Sequence, residues 1–373
     1  MRAVIAGGGV GGLAAAIALR QAGIEVRVLE QAESLRGGGA GLWLWPNALA
    51  ALASLGVLSE VRAAGRVQTC SWIRSRRGRR LARIEAVNAA GNPAESLTIQ
   101  RSALLSILTR RLGPSVLRTH ARLVGILDGE RVGARLADGG MEQGDLLIGA
   151  DGVHSVVREA LFGRPAVGEA RFEAFRAIVA FPGAPEEAVV YWGRGARFGL
   201  MPLAGGVVNW YASRAAGPAA RPEASLAAQF QDWPQVVRAA IEATPPGDIR
   251  VDHVEVRPPL QRWCRGRVTL LGDAAHPMTP SLGQGACQAL EDAVVLGRSL
   301  ASQPDVSSAL QDYERRRRPR AARVAARSIR MDRLIQLASP PLCALRDLAV
   351  SAVPGAVLRR MLADLWHFDP EES

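Results

Sequence analysis

The 373-residue sequence contains no lysine, so all 46 of its basic residues are arginine; with 35 acidic residues, the formal net charge is +11. Because one basic residue type is used throughout, the charge indicates a compositional bias rather than a patch built for phosphates. No nucleic-acid recognition motif accompanies it, so we predict no nucleic-acid partner. The densest runs are Arg74–Arg83 and Arg315–Arg320. For the second run we predict a solvated helix face broken at Pro319, with attraction of an anionic cofactor as the alternative.

The sequence also lacks long apolar runs and paired cysteines. No segment reaches the roughly 18 uninterrupted apolar residues of a membrane helix, so we predict no stable membrane insertion. The cysteines form no C-x-x-C pair and no cluster with histidine: Cys70, Cys264, Cys287 and Cys343. This spacing is atypical of a zinc site or a disulfide framework. We therefore predict a cytoplasmic protein without a metal site.

Glycines interrupt the apolar N-terminal stretch MRAVIAGGGVGGLAAAIALRQAGIEVRVLEQ. An export signal fits poorly, because its apolar centre would be unbroken. Gly7, Gly9 and Gly12 instead form G-x-G-x-x-G between a predicted strand and a predicted Ala/Leu-rich helix. Glu30 ends a second predicted strand, where a carboxylate accepts hydrogen bonds from ribose hydroxyls. The pattern predicts a dinucleotide site, against a glycine-rich turn without a ligand, and by itself does not separate NAD from FAD.

A second strand, glycine loop and helix are predicted in GRVTLLGDAAHPMTPSLGQGACQALEDAVVLGRSL, residues 266–300. Gly272 allows a turn that presents Asp273 at a strand end, where an acid suits a polyol chain such as ribityl. Gly283 and Gly285 lead into a helix whose free N–H groups favour an electron-rich carbonyl or an anion. The alternative for Asp273 is a cap on a tight turn.

A third such pattern is GDLLIGADGVHSVVREALFG, residues 144–163. It places Asp151 and Gly152 at the turn, where a capped helix start is an equal alternative. We predict that His154 is a surface residue at a helix start. His276 is predicted to fix its loop, because its sequence neighbours offer no partner acid.

The three nucleotide-type units alternate with β-rich segments, which predicts an α/β fold with a discontinuous Rossmann-like domain rather than two tandem domains. We assign residues 1–68, 96–168 and 262–330 to that cofactor-binding domain. An inserted, mainly β substrate domain comprises residues 69–95 and 169–261. Residues 331–373 are predicted to form a C-terminal helical segment.

Taken in order, these motifs resemble one enzyme family. They are Gly7/Gly9/Gly12 with Glu30, Arg36 before GAG, WPNA, Arg101 in QRSALLSIL, GADGVHS, and GDAAHPMTPSLGQGACQALEDA. As a set they resemble the group A flavoprotein monooxygenases, which have the para-hydroxybenzoate hydroxylase fold, over residues 1 to about 325. Within that family the chain is similar to the urate- and hydroxynicotinate-type hydroxylases and to zeaxanthin-epoxidase-like enzymes.

The resemblance implies FAD as the cofactor and a role for each matching residue. Gly7, Gly9, Gly12 and Glu30 would hold the ADP half of FAD, and Arg36 and Arg101 the pyrophosphate or ribityl region. Asp273 would bind the ribityl chain, and Gly283 and Gly285 would line the pyrimidine edge of the flavin. Asp151 and Gly152 match a motif implicated in both FAD and NAD(P)H contacts. No second G-x-G-x-x-G lies between a strand and a helix, in line with transient NAD(P)H binding.

The implied reaction is reduction of FAD by NAD(P)H, addition of O₂ to give a flavin C4a-hydroperoxide, and hydroxylation or epoxidation of a small aromatic or conjugated substrate. Two alternatives stay open: a flavin-dependent reductase or dehydrogenase without oxygen insertion, and a non-catalytic FAD-binding redox protein. We expect a monomer or a homodimer.

The same resemblance indicates a substrate pocket formed by Trp43, Arg197, Asn209, Tyr211, Pro280 and Ser281. Trp43 lies where several phenol-hydroxylating relatives carry a histidine base. Asn209 and Ser281 replace the tyrosine and aspartate of urate-hydroxylating relatives, whereas Arg197 matches an arginine near their substrate. The pocket is therefore predicted to have few acid–base groups and many aromatics, which favours a bulky or conjugated substrate over urate. For Trp43, core packing is an equal alternative.

Overall fold

The structure is a computed structural model that describes residues 1–35, 40–88, 90–127, 129, 131–164, 170–215, 226–255 and 257–371. Its strands are β1 (Arg2–Ala6), β2 (Glu25–Leu29), β3 (Gly41–Leu44), β4 (Arg66–Gln68), β5 (Cys70–Ser75), β6 (Arg80–Glu85), β7 (Ser96–Gln100), β8 (Leu117–Arg118), β9 (Leu123–Leu127), β10 (Val132–Leu136), β11 (Met141–Gly144), β12 (Leu146–Gly149), β13 (Ala170–Val179), β14 (Ala188–Trp192), β15 (Ala196–Pro202), β16 (Val208–Ala215), β17 (Arg250–Glu255), β18 (Cys264–Arg265) and β19 (Val268–Leu270). Its helices are α1 (Val10–Gln21), α2 (Pro46–Ser54), α3 (Leu58–Ala64), α4 (Arg101–Leu112), α5 (Val156–Phe162), α6 (Leu226–Gln229), α7 (Gln235–Glu242), α8 (Gly285–Ser302), α9 (Val306–Ile335), α10 (Pro340–Ala352) and α11 (Gly355–Trp366).

The sheet that positions the site has the strand order β18-β19-β12-β1-β2-β8, and all its pairs except β18–β19 are parallel. Ala6 pairs with Gly149, which pairs with Leu270, so β1, β12 and β19 end at one edge. Every residue of β12 is buried, as expected of a parallel strand covered on both faces. In open parallel sheets, ligands bind at the carboxyl ends of the strands. The three predicted glycine turns therefore meet at one place.

A seven-stranded sheet of order β17-β13-β16-β15-β14-β5-β6 forms the second layer and carries its own core. The core is aromatic: Phe198 stacks on Trp210, and the Phe230 ring contacts the edges of both Phe198 and Trp233. All four side chains are buried, and the Trp210 indole donates to Thr244 Oγ1 at 2.8 Å. The mixed α/β architecture predicted from the sequence is confirmed; the predicted domain boundaries stay a prediction.

Helix α9 runs through Pro319 without ending there, so the predicted break in the arginine-rich segment is wrong. An internal proline costs roughly 3 kcal/mol through one lost hydrogen bond and a steric clash. On either side of it, Tyr313 and Arg317 and then Ala321 are buried in tertiary contacts. This packing offsets the local cost and keeps the helix continuous.

The C-terminal helices lie on the outside of the fold. Within the described residues, no single helix is long and apolar enough to cross a membrane; α10 and α11 would suffice together, but they meet at 94°. The side chains of Cys343, Arg346, Leu365 and Trp366 are buried and attach this helix pair to the rest of the protein. All four cysteines of the chain are free and buried.

Candidate functional site

Of the three motif glycines after β1, the fold itself requires Gly7 and Gly12 but not Gly9. Gly7 has φ +107°, and a Cβ there would clash with the Ala150 carbonyl of the neighbouring strand. A Cβ on Gly12 would clash with the Gly7 carbonyl, so Gly12 allows the helix to approach the strand. Among the described residues, a Cβ on Gly9 would have only the Arg101 guanidinium within reach, at 3.9 Å. The space beside Gly9 is therefore open on the side that faces a cation.

The Glu30 carboxylate follows β2 and is held beside this loop. Its Oε2 accepts a hydrogen bond from the Gly8 amide at 2.8 Å, and its Oε1 accepts from the Ala32 amide at 2.9 Å. These bonds fix the carboxylate next to the N-terminus of α1, whose free amides carry a partial positive charge. Each carboxylate oxygen retains a lone pair for a further donor.

Arg101 and Asp273 are opposite charges that face the same cleft without pairing. Arg101 begins α4, and within the described part of the chain its guanidinium makes no hydrogen bond. Burial and the nearby Arg176 lower the pKa of Arg101, while Asp273 and Glu30 partly restore it. The cation at the start of α4 thus lies near the acids that follow β2 and β19.

Asp273 lies in a 3₁₀ turn, Gly272–Ala274, that directly follows β19. Its side chain is accessible to solvent, yet protein surrounds it densely enough that burial raises its pKa, an effect that His276 and Arg101 oppose. A residue that is both accessible and surrounded lines an internal cleft. Gly285 faces the same carboxylate, because a Cβ there would lie 3.8 Å from Asp273 Oδ1.

The loop before α8 presents glycine and unpaired donors. Gly283 is exposed, adopts the left-handed conformation with φ +63°, and lies against the Trp45 indole nitrogen. Trp45 Nε1 and Gln284 Nε2 are buried without a hydrogen-bond acceptor among the described residues. Helix α8 then begins at Gly285 with no acidic side chain in its first turn. Donors and a positive helix end converge there, an arrangement that suits an electron-rich ring edge.

Asp151 caps the start of a helix, as one of the two alternatives from the sequence predicts. Its Oδ2 accepts from the amides of Val156 at 2.8 Å and Val157 at 3.2 Å, at the start of α5. Its Oδ1 is buried without a partner among the described residues, and burial raises the pKa of the carboxyl. Gly152 adopts φ +78° beside it with open space around its Cα. Arg36 lies outside the described residues.

Beneath the Gly283–Gly285 loop lies a buried network of charged and amide side chains that sequence analysis missed. Asn47 Nδ2 donates to Gln284 Oε1 at 2.9 Å and to Glu291 Oε1 at 2.7 Å. Arg317 donates to Glu291 Oε2 and, at 2.7 Å, to Asp292 Oδ1. The run containing Arg317 was predicted to be solvated, which is wrong for this residue, since it is 2% exposed. Its burial depends on which face of α9 meets α8, and the charge run alone does not encode this.

His276 completes the network, and the prediction that it has no partner acid is also wrong. Its Nε2 lies 2.6 Å from Asp292 Oδ2, and both side chains are buried. Burial alone would raise the pKa of Asp292, but His276 and Arg317 together lower it to about 2. Asp292 Oδ2 also accepts from the Gly272 amide at 3.0 Å, so one carboxylate ties α8 and α9 to the turn that carries Asp273.

Arg197 and Ser281 meet at the boundary between the second sheet and the glycine loop. Arg197 is buried, its Nη1 donates to Ser281 Oγ at 2.7 Å, and its guanidinium carbon lies 5.6 Å from the centre of the Tyr211 ring. Ser281 belongs to a 3₁₀ turn, Pro280–Leu282, and also donates to Asp332 of α9. Asp332 is a buried acid at this place that the sequence analysis did not select.

Stacked indoles form the other wall. Trp43 stacks on Trp45 with centroids 4.5 Å apart, and Trp45 stacks on Trp366 of α11 at 4.7 Å. Trp43 is half-buried, and its Nε1 donates to Ser96 Oγ at 3.1 Å. Asn209 accepts from the Gly41 amide at 2.9 Å, which joins β16 to β3. Thus the strand that carries Trp43 contacts both the glycine loop and the second sheet.

Comparison with known proteins agrees with this geometry. A family model described as an FAD binding domain matches residues 1–328. The chain is 37% identical over 352 residues to the aurachin C monooxygenase/isomerase of Stigmatella aurantiaca, covering 92% of each protein. It is 32% identical over 351 residues to an FAD-dependent urate hydroxylase of Mycolicibacterium vanbaalenii, covering 88% of this chain and 87% of that one.

The chain belongs to the FAD-dependent monooxygenase family. Among solved structures, Klebsiella pneumoniae HpxO complexed with FAD and uric acid matches with a TM-score of 0.87 and 28% identity, over 98% of this chain and 96% of that chain. The resemblance to group A flavoprotein monooxygenases and the expected fold are thereby confirmed.

FAD is the cofactor of this family, and the residues of this chain fit it. The open side of Gly9 accommodates a pyrophosphate, and beside it Arg101 offers a cation that forms no hydrogen bond with the described residues. Asp273 offers an accessible carboxylate, while Trp45 Nε1 and Gln284 Nε2 are buried donors that lack acceptors in the described part of the chain. These features follow one another along a single cleft at the carboxyl edge of the parallel sheet, the usual position of a dinucleotide.

Proposed function

We propose that this protein uses NAD(P)H and O₂ to hydroxylate or epoxidise a small aromatic or conjugated organic compound. The observation that carries the proposal is that the FAD cleft adjoins a wall made of stacked indoles and a buried arginine. Bound FAD supplies the hydride acceptance from NAD(P)H and the activation of O₂. The protein's own groups bind and orient the substrate and exclude water.

For the cofactor, the roles follow the cleft from one end to the other. Gly7, Gly9, Gly12 and Glu30 would hold the ADP half, with Arg101, and by resemblance Arg36, at the pyrophosphate. Asp273, after the turn at Gly272, would accept hydrogen bonds from the ribityl chain. Gly283 and Gly285 would face the pyrimidine edge of the flavin. Asp151 and Gly152 would act mainly by holding the start of α5 beside the cofactor.

For the substrate, we propose a flat, apolar ring system that carries one hydrogen-bond acceptor or anionic group. Trp43 presents an aromatic surface, and indole offers no base at neutral pH. Arg197 is the polar contact, aligned by Ser281 and stacked near Tyr211. A buried guanidinium favours a carbonyl or carboxylate oxygen. Asn209 and Pro280 would shape the remainder of the pocket.

Urate is a weaker candidate than a larger ring system. The relatives with urate hydroxylase activity, by resemblance, place a tyrosine and an aspartate where this chain has Asn209 and Ser281. Asn209 is already engaged by the Gly41 amide, and Ser281 by Arg197 and Asp332. Neither side chain is therefore available to remove a proton from a purine.

The test is oxygen transfer. The FAD-loaded protein is incubated with NADH or NADPH, isotopically labelled O₂ and a panel of aromatic and heteroaromatic acids, aurachin C and urate. We expect at least one aromatic compound to stimulate NAD(P)H oxidation and to gain one labelled oxygen atom. Stimulated oxidation with an unlabelled product would indicate a dehydrogenase. No FAD binding and no oxidation with any compound would contradict an enzymatic role.

We further propose a protein of the cytoplasm that acts as a monomer or a homodimer, with the domain division given above. Four buried free thiols suit a reducing compartment. Two separate hydrophobic cores, one under the parallel sheet and one in the seven-stranded sheet, support the division into two domains. Light scattering of the purified protein measures the oligomeric state.

A further inference from the structure

Helices α10 and α11 carry large apolar side chains that the described residues leave exposed. Five of these side chains are about half exposed or more: Leu342 49%, Leu345 62%, Leu348 61%, Val357 48% and Met361 64%. On α10 the exposed leucines recur every three residues, which places them on one side of the helix. We call these five residues the apolar face. Exposed apolar side chains grouped on one side of a helix in this way mark an interaction site.

Arginines lie beside α10 on the side that carries Pro340 and Ala344, next to the side that carries the exposed leucines. The turn between β5 and β6 supplies Arg76, Arg77 and Arg79, and Arg194 follows β14. Together with Pro340 and Ala344 of α10, these arginines line a cavity of about 260 Å³. We call this cavity the arginine pocket. It has the charge and the donors to hold a phosphate group.

The acidic groups near the arginine pocket are occupied. Asp347 lines the pocket, but it accepts from the buried Arg346 at 2.8 Å. Glu85, at the end of β6, pairs with Arg83 at 3.0 Å and with Arg359 of α11 at 3.1 Å. The pocket stays positive because its lining holds five arginines, Arg76, Arg77, Arg79, Arg194 and Arg346, against the single carboxylate of Asp347.

The arrangement of α10 and α11 fits the surface of a bilayer and not its interior. The helices meet at 94°, and their inner sides, including Cys343 and Trp366, are buried against the protein. Only the outer sides are available, as in helices that lie in the plane of a membrane interface. Apolar side chains there enter the headgroup boundary, and neighbouring arginines bind anionic headgroups.

A second copy of the chain fits the same surface less well. A two-fold symmetric contact would bring each apolar face against its equivalent and would bring the arginine borders of both copies together. Like charges placed opposite each other oppose such a contact, and the chain has a net charge of +11. An anionic surface instead complements the border.

We propose that the apolar face and the arginine pocket dock this protein reversibly on membranes that contain anionic phospholipid. The leucines of α10 and the apolar side chains of α11 enter the interface, while the arginine pocket holds a headgroup phosphate. The proposal concerns where the enzyme works and does not depend on the reaction assigned to it.

The test is flotation of the FAD-loaded full chain with vesicles, either of phosphatidylcholine alone or of equal parts phosphatidylcholine and phosphatidylglycerol. We expect binding to the mixed vesicles only, weakened at high salt. The double variant Leu345→Glu/Leu348→Glu should lower the partition coefficient about tenfold or more, because carboxylates replace the inserted side chains. Met141→Glu is the matched control, since Met141 is 63% exposed but lies on β11, and it should bind as the wild type does.

A second pair of variants tests the charge. Arg76→Gln/Arg77→Gln should weaken binding several-fold, and Arg122→Gln/Arg131→Gln, which removes the same charge from other exposed positions, should not. Equal losses of vesicle binding in both pairs of variants would mean that only net charge matters and would overturn the docking site. Absence of binding to mixed vesicles would also overturn it. So would a wild-type dimer that Leu345→Glu/Leu348→Glu converts to a monomer, because the apolar face would then be a contact between copies.

Discussion

Gly9 distinguishes a glycine needed for folding from one needed for a ligand. Its backbone, at φ −74° and ψ −177°, is open to any residue, and the protein leaves space where its side chain would stand. Gly9→Ala should therefore leave the unfolding free energy of the FAD-free protein unchanged within about 0.5 kcal/mol. It should weaken FAD binding roughly tenfold or more, because the methyl group occupies the approach of the pyrophosphate.

Fluorescence titration measures FAD binding and thermal unfolding measures stability. Variants of two further glycines serve as controls in both measurements. Gly247→Ala, at an open position on another loop, should change neither quantity. Gly12→Ala should destabilise the fold even without FAD, since its Cβ meets the Gly7 carbonyl. Normal FAD affinity in Gly9→Ala would show that the pyrophosphate does not bind at this loop.

Asp273 supplies the second prediction at this scale. Its carboxylate is accessible and makes no hydrogen bond among the described residues, so a ribityl hydroxyl would meet a free charged acceptor. Loss of such a bond costs roughly 1.5–3 kcal/mol, which is about ten- to a hundredfold in the dissociation constant. Asp273→Ala should therefore release FAD on dilution, as measured by flavin fluorescence. Asp248→Ala, at an exposed carboxylate on a distant turn, is the control, and equal retention in both variants would contradict the assignment.

Trp43 is the subject of the third prediction at the scale of residues. If it contributes shape and stacking, Trp43→Phe should keep most of the activity. Trp43→Ala should raise KM or uncouple the enzyme, releasing hydrogen peroxide as water enters the site. The measurement is the ratio of product formed to NAD(P)H consumed. Coupling in Trp43→Ala equal to that of the wild type would leave Trp43 with a packing role only.

At the scale of elements, the contact between α8 and α9 depends on a buried cation. Arg317 satisfies Glu291 and Asp292 together, and both acids are fully buried. Arg317→Met keeps much of the volume but removes the cation that Glu291 and Asp292 share, so that Glu291 retains only Arg320 and Asp292 only His276 as charged partners among the described residues. We expect a loss of about 3–5 kcal/mol in the free energy of unfolding measured with urea. Arg323→Met, at an exposed position of the same helix, should be nearly neutral; similar losses in the two variants would mean that the network contributes nothing specific.

The elements also show how far sequence reasoning extends. Strand β1, helix α1 and strand β2 lie where the sequence predicts them. The signals that predict them are local: the apolar pattern, the glycine spacing and Gly23 at the end of the helix. The partner of His276 lies on a helix 16 residues further along, and Trp366, which extends the Trp43–Trp45 stack, comes from the C-terminal helix. Such contacts are created by tertiary packing. The FAD cleft was therefore predictable in outline, while the network that supports it was not.

At the scale of the whole molecule, Asp292 links stability to pH. Its pKa is about 2 in the folded protein, below its ordinary value of 3.8, so its contribution is complete above about pH 4 and is lost as the pH falls toward 2. The difference in unfolding free energy between the wild type and Asp292→Asn should be constant near neutrality and should shrink over that window. Urea titrations at several pH values measure it, with Asp248→Asn as the control. A difference that is independent of pH would show that the charge of Asp292 is not what stabilises the fold.

The small residues between α1 and α8 have a consequence for motion. A Cβ on Gly297 would press on the Ala18 backbone, and one on Gly11 would meet Leu271 and Ala289. The facing surfaces of α1 and α8 are therefore in close van der Waals contact. Helices in such contact cannot slide or tilt without steric overlap. The start of α1 and the start of α8, which border the two ends of the cofactor cleft, thus form one rigid frame. Among the described elements, an opening that admits substrate would then have to involve the seven-stranded sheet or α10 and α11, while the cleft keeps its length.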